Sequence, residues 1–542
     1  MEEYVVTLNK HEDLSDFYTE MESSGGSGSI PTRAVSCLKR RPKSRNTNYN
    51  LTDSEASILK GDSRVRDIIS RSQLDTIIIK PVYTQTSTDW NKSATAGATN
   101  KNWGLYRSIR GSQISGWGVG GTVAESATIN TTSSGKNVDV IIMDGLIGTT
   151  HPEFQVYPDG SGGTRVNQFN WLQYKDEIEG GGDGTYTYSS GNSANDNHGM
   201  HVAGTVCGNT QGWARDANIF SMSPFDGQIP TDHLFEYVRV FHENKSVNAA
   251  TGRKNPTIVN SSWGSSYSLT RSAITQVVHD GVTYNSGFTD SDFNTYGIST
   301  RSYNATTLTV AAYVTAYVSD LEDAIGAGVI LVAASGNDQM RWDVSSGDEY
   351  NDTVTVSGTA YNYHRGSWNS TGENVICTGA ADANSTEKKA EFSDCGPRIT
   401  TYGPGDNIIS AVNGNAVTGG TVTTVDDPRD SDFKLAKYDG TSMASPQVCG
   451  ALACLLEQEP RLSQSDCVAY LEQHCKSDQL TDSGGSTSDT TSLQGSSNRY
   501  LFYFKQRPET GVLDPDSAYG ARRYTTAGTK YPRVSTLVTK KS

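Results

Sequence analysis

The chain has 542 residues, a formal net charge of −15, only 19% charged residues and 8 cysteines. The acidic balance excludes a general binder of nucleic acid or of anionic membrane, and no run approaches the ~20 apolar residues of a membrane span. Cysteines this sparse do not make a disulfide scaffold, while the length accommodates a large core and more than one domain.

The chain opens on Met1-Glu2-Glu3, without the basic-then-apolar leader of a secretory signal. Reduced cysteines are expected, in a cytoplasmic or virion-associated setting rather than a classically secreted one. A strand over Tyr4–Leu8 and a helix over Asp13–Glu22 precede a basic run, Cys37 to Arg45, read as a solvated loop. A second helix begins in the stretch Leu51 to Val65, with the capping pair Thr52 and Glu55, and leads to a strand at Ile77–Ile79. These elements predict a small α+β domain over residues 1–83, and the Thr-, Ser-, Ala- and Asn-rich stretch 84–102 predicts a linker open to cleavage.

Beyond it, apolar strands (Val138–Met143, Ile219–Met222, Ile258–Val259, Val329–Ala334, Val375–Ile376) alternate with helices, the pattern of a parallel sheet covered on both faces. Thr231–Asn244 places Leu234, Phe235, Val238 and Phe241 at helical spacing, while Gly180–Asn197 and Val282–Tyr303 are polar and read as loops. Cys377 and Cys395 are the pair left open as a bridge, Cys449 and Cys454 read as core, and no cysteine spacing fits zinc. After a helix over Ser463–Lys476, the Ser/Thr/Gly-rich stretch 478–498 reads as a flexible linker. The extension 499–542 starts with a strand, Arg499–Phe504, and ends in a basic tail with Arg522, Arg523, Lys530, Arg533, Lys540 and Lys541.

Four segments carry chemistry. In Asp439-Gly440-Thr441-Ser442-Met443-Ala444-Ser445-Pro446 a serine stands between a Gly-Thr turn and a helix start, where it can be an exposed nucleophile. Its hydroxyl needs a neutral imidazole to take its proton, and His198, at the start of a small-residue helix, supplies one. A carboxylate must hold that imidazole in one tautomer. Asp144 follows the apolar run Val138–Met143, at the strand end that faces a crevice, and is favoured over Asp139 at its start. Gly328–Asn337 is an apolar strand that ends in a glycine and a side-chain amide, and Asn337 can donate to an oxyanion together with the Ser442 backbone N–H.

Taken in order, Asp144-Gly145-Leu146, His198-Gly199-Met200-His201 and Gly440-Thr441-Ser442-Met443-Ala444 resemble the three motifs of the subtilisin-like serine proteases, from about Trp103 to Lys476. The resemblance implies a doubly wound, mostly parallel α/β fold with a peptidase domain over 103–477. It makes Asp144, His198 and Ser442 a triad with Asn337 as oxyanion donor, and His201 a packed neighbour. It places the substrate beside Ser262-Trp263-Gly264, with Trp263 standing where the family usually has a small or aliphatic residue. Residues 1–83 resemble the inhibitor-type propeptide of the family, which implies polypeptide substrates, an autoprocessed zymogen and the N-terminal domain as intramolecular inhibitor.

No cofactor is required for this chemistry. Calcium is common in the family, but neither polar loop has an ordered ligand spacing, so no metal site is expected. Leu146 departs from the glycine usual at that turn, which frames the competing reading: a weak or inactive subtilase-like structural or attachment component, for example of a virus particle. The Gly-x-Ser-x-Gly elbow of esterases is absent around Ser442.

Overall fold

The computed structural model describes residues 1–10, 12–23, 33–39, 46–71, 83–85, 102–112, 129–131, 133–178, 182–226, 228–229, 231–372, 374–383, 386–485, 489–503 and 506–508. It divides into two compact units, Met1–Lys80 with Val534–Ser542, and Pro81–Arg533.

The first unit runs β1 (Glu2–Leu8), α1 (Leu14–Glu22), β2 (Cys37–Lys39), β3 (Asn46–Leu51), α2 (Asp53–Leu59), β4 (Val65–Ser70), with antiparallel sheet order β2-β3-β1-β4. This is a split βαβ arrangement, β3 lying between β1 and β2. Leu14, Phe17, Tyr18 and Met21 recur at helical spacing and form the buried stripe of α1 over Val6, Leu8 and Tyr49. Thr52 and Glu55 close a capping box at the start of α2: the Thr52 N–H donates to Glu55 Oε2 (2.8 Å) and the Glu55 N–H to Thr52 Oγ1 (3.3 Å). Cys37–Lys39, expected in a solvated loop, pairs with β3, because the strand ladder satisfies backbone groups regardless of side-chain charge. The rest of the basic run, the Ile77–Ile79 strand, nearly all of the 84–102 linker and the basic tail lie outside the described residues.

In the second unit the first described helix is α3 (Trp103–Arg110), capped by Asn102, whose Oδ1 accepts from the Leu105 N–H (3.1 Å). Nine strands then form the central sheet: β5 (Asp139–Met143), β6 (Val166–Gln168), β7 (Asn218–Met222), β8 (Thr257–Ser261), β9 (Ile330–Ala334), β10 (Ile376–Ala381), β11 (Thr401–Pro404), β12 (Lys476–Ser477) and β13 (Arg499–Tyr500). The order is β12-β13-β11-β10-β9-β8-β5-β7-β6, parallel at every pairing except β12 with β13.

Successive residues of β5 face opposite sides of the sheet. Val140 and Ile142 join one core with α4 (Ala194–Cys207) and α6 (Thr441–Gln458). Ile141 and Met143 join another with Leu234, Phe235, Val238 and Phe241 of α5 (Leu234–Asn244). A buried parallel sheet with helices on both faces follows, as the alternation of apolar strands and helices predicts.

Two expectations fail. Within Val282–Tyr303, read as a polar loop, strand Val282–Tyr284 joins an antiparallel sheet with Ile274–His279, Thr353–Val356 and Thr359–Asn362, and helix Asp290–Thr295 buries Phe293. Phe293, Tyr296 and Ile298 of this stretch are buried, while Val282 stays exposed. Residues 478–498, read as a flexible linker, fold back instead: the Asp478 N–H donates to the Asn498 carbonyl (2.8 Å), the Thr481 N–H to the Glu387 carbonyl (2.8 Å), and Leu480 and Leu493 are buried. All 8 cysteines are free thiols, so Cys377 and Cys395 form no bridge. Among the described residues no helix is long and apolar enough to cross a membrane.

A buried ion pair joins the first described helix of this unit to a loop 280 residues away. Arg107, fully buried, pairs through Nε with Glu387 Oε1 and through Nη2 with Oε2 (2.9 Å), and its guanidinium lies 4.5 Å from the Tyr500 ring centroid. Breaking such a pair strands a buried charge. Glu387→Gln is expected to destabilise this unit by about 3–5 kcal/mol, read as a fall in the urea unfolding midpoint against wild type.

Candidate active site

Because β5, β8 and β9 are parallel and adjacent, their carboxyl ends open on one side of the sheet, where the order reverses between β5 and β8. Asp144 follows β5, fully buried, its N–H bonded to the Met222 carbonyl (2.9 Å). Its Oδ1 accepts from the Gly145 N–H (2.7 Å) and from His198 Nδ1 (2.8 Å), and its Oδ2 is buried without a partner. A carboxylate only accepts, so Nδ1 carries the hydrogen and Nε2 is the basic nitrogen. Burial alone would lower the His198 pKa, but the charge and hydrogen bond of Asp144 outweigh it and hold the imidazole above its ordinary value.

Helix α4, which carries His198, starts at Ser193, whose hydroxyl accepts from the Asp196 N–H (3.0 Å). It can reach the acid because two glycines meet: a Cβ on Gly199 would lie 2.0 Å from the Gly145 carbonyl oxygen, and one on Gly145 1.7 Å from that of Asn195. Leu146 makes its turn without a left-handed φ, and its N–H donates to Asp196 Oδ1 (3.2 Å), so the replacement of a glycine there strains nothing. His201 lies one turn further on and does not join the site. Its Nε2 hydrogen points at the Ile408 and Ala436 carbonyls (2.8 and 3.2 Å), its ring stacks on Tyr438, and burial pushes its pKa down to about 3. Asp139, at the opposite end of β5, is held by Lys245, Asn218 and Asn255.

Ser442 is the second residue of α6. Pro446 lacks the N–H that would bond the Ser442 carbonyl in a regular helix, and that carbonyl accepts instead from Ser262 Oγ (3.0 Å). In return the Ser442 hydroxyl donates to the Ser262 carbonyl (2.9 Å) and makes no hydrogen bond to His198. Asn337 stands three residues beyond β9, and its Oδ1 accepts from the Thr441 N–H (2.9 Å) and hydroxyl (3.0 Å). That fixes the orientation of the amide, whose Nδ2 makes no hydrogen bond among the described residues.

Asn337 and Ser442 share a cavity of about 340 Å³ with Trp263, Gly264, Trp342 and Asp394. Trp263 packs on Trp368 and Phe225. The sequence reading missed Trp342, Asp338 and Asp394 on these walls, since none lies in a motif. Asp394 is fully buried: its Oδ1 accepts from the Asp338 and Met340 N–H groups (3.0 and 2.9 Å), and its Oδ2 has no partner. Burial, and then the charge of Asp338, push its pKa well above the carboxylate range.

A family model described as the subtilase family (peptidase S8) matches residues 9–500, and the chain belongs to that family. Subtilisin-like protease 3 of Arthroderma otae is 26% identical over 356 residues, covering 64% of this chain and 61% of that protein. Alkaline protease 1 of Aspergillus clavatus is 23% identical over 347 residues, covering 63% and 59%. The chain thus spans less than two thirds of these relatives. Among solved structures, a cold-adapted subtilisin-like serine proteinase is 19% identical with a TM-score of 0.44, covering 74% of this chain and 97% of that one. Fervidolysin of Fervidobacterium pennivorans is 16% identical with a TM-score of 0.42, covering 92% and 60%.

The raised pKa of His198 makes its imidazolium persist to higher pH than in a free histidine, and the neutral base appears only above that pKa. An NMR titration of the His198 ring is expected to give a midpoint above about 6.5, and Asp144→Asn, which removes the charge and leaves the burial, to bring it below.

Proposed function

We propose that the chain is a serine endopeptidase that hydrolyses peptide bonds through an acyl-enzyme on Ser442. What supports this most is that His198 is held at Nδ1 by the buried Asp144 carboxylate, 2.8 Å away, while an amide fixed by Thr441 lies beside Ser442 in one cavity. A peptide adds as a strand along Ser262-Trp263-Gly264, with the side chain before the cleaved bond in the cavity walled by Trp263. The Ser442 hydroxyl leaves the Ser262 carbonyl, and His198 Nε2 takes its proton as the new C–O bond forms. Asp144 stays ionised and balances the imidazolium. Negative charge on the carbonyl oxygen is received by Asn337 Nδ2 and the Ser442 N–H at the start of α6. The imidazolium then protonates the leaving amine as the C–N bond breaks, and a water molecule, deprotonated by the same nitrogen, releases the acid and restores Ser442.

The N-terminal unit is proposed as an intramolecular inhibitor, cut off by the enzyme itself between residues 80 and 101. Its compact split βαβ fold and the linker composition after it support this.

Intact mass of the purified wild type beside Ser442→Ala tests both parts. The wild type alone is expected to lose an N-terminal fragment and to react with a fluorophosphonate. Two uncut, unlabelled proteins would overturn the reading in favour of the attachment component. Asn337→Ala is expected to keep fluorophosphonate-accessible Ser442 and lose about 10²- to 10³-fold in peptide turnover, the usual scale for one oxyanion donor.

A further inference from the structure

The antiparallel sheet that strand Val282–Tyr284 joins gathers three potential metal ligands far along the chain from the triad motifs. His279 ends the strand Ile274–His279, Asp352 directly precedes Thr353–Val356, and His364 follows Thr359–Asn362. One ligand atom from each lies within 4.8 Å of the other two. Asp352 and His364 are buried, and His279 is nearly so.

The hydrogen bonding of His364 points to a ligand. Its Nδ1 lies 2.8 Å from the Arg341 carbonyl, which only accepts, so Nδ1 carries the hydrogen and Nε2 presents a lone pair. That Nε2 is fully buried and has no hydrogen-bond partner among the described residues. What faces it is another acceptor, Glu349 Oε2, at 3.5 Å. Two lone-pair atoms opposed in a buried place call for a cation between them. Ligand atoms about 2.1 Å from a tetrahedral zinc lie about 3.4 Å from one another, close to this separation.

The surroundings match those of metal-bound groups. A ligating histidine commonly donates its other N–H to a backbone carbonyl, and a ligating carboxylate is itself hydrogen-bonded. His364 does the first. Glu349 does the second, through Arg341 Nη1 (2.7 Å), as does Asp352, whose Oδ1 accepts from the Asp280 N–H (3.1 Å). His279 Nδ1 donates to Asp352 Oδ2 (2.8 Å); to ligate through Nδ1 the ring carries its hydrogen on Nε2 instead, which lies 3.7 Å from Asp280 Oδ2, and stays a neutral imidazole.

We propose that His279, Asp352 and His364 bind one divalent transition ion of the zinc class, with Glu349, whose Oε2 already faces His364, turning in to fill the fourth position. Two imidazoles and two carboxylates suit zinc rather than the all-oxygen sites of calcium or magnesium. The ion would tie both ends of the insertion sheet to the segment 341–349.

The test uses the full chain carrying Ser442→Ala, stripped with a chelator, so that its outcome does not depend on peptidase activity. Equilibrium dialysis against Zn²⁺ is expected to give one bound ion per chain and a higher thermal midpoint. Co²⁺ is expected to give the strong visible bands of a tetrahedral site. His364→Ala is expected to lower Zn²⁺ affinity by more than about 100-fold, beyond the 10- to 100-fold typical of losing a mere outer-shell partner. His279→Ala, at the rim, provides the same comparison should the buried variant fail to fold. Absence of a bound ion, absence of the Co²⁺ bands, or uptake unchanged in the variants would each overturn the proposal.

Discussion

The distance between His198 and Asp144 is set by how closely helix α4 approaches the turn after β5. At Gly145 and Gly199 backbone meets backbone, and a single methyl at either position would fall within 2.0 Å of a carbonyl atom. The approach brings the His198 ring to a carboxylate that is itself out of water, where its field is weakly screened. The shifted pKa of His198 is thus a consequence of packing. The small residues of α4 serve this end: the helix is buried on nearly every side and shows little amphipathic asymmetry, because the sheet, α6 and Ile408–Val412 all press on it.

A second constraint acts on the nucleophile. Pro446 interrupts the hydrogen-bond ladder of α6 four residues after Ser442, and the freed carbonyl is taken by Ser262 at the end of β8. Ser262 is held in turn by Asn260, and Asn260 by Ser445 on α6. The strand proposed to receive substrate and the helix that presents Ser442 are therefore one hydrogen-bonded body. Asn337 is drawn into the same body through Thr441, so the donor proposed for the oxyanion is positioned by the residue next to the nucleophile.

What the sequence made legible was whatever is local. The strand ending at Asp144, the small-residue helix of His198, the Gly-Thr-Ser turn and the α5 stripe each show within a dozen residues, and the structure places Asp144 against His198 and Asn337 against the start of α6. Contacts that join distant segments through polar atoms stayed hidden. Residues 478–498 look like a linker because Ser, Thr and Gly dominate them, yet Thr481 bonds the Glu387 carbonyl and Asn498 bonds Leu480 at both its N–H and its carbonyl. Asp394 carries no motif either, and its importance comes entirely from where β9 and the loop before β11 bring it.

The cavity and the insertion sheet are two ends of one segment. Asn337 starts it, Asp338 and Trp342 line the cavity, the Arg341 carbonyl receives His364, and Asp352 ends it beside His279. Trp342 is fastened at both ends, by its indole N–H to the Ser335 carbonyl (2.9 Å) and by its backbone N–H to the Cys395 carbonyl (2.8 Å). The wall is thus held from two sides, and Asp352 of the His279, Asp352 and His364 cluster lies on the same segment further along the chain. The insertion sheet is thereby joined to the wall of the pocket beside Ser442 by a short covalent path, although none of its strands borders the cavity.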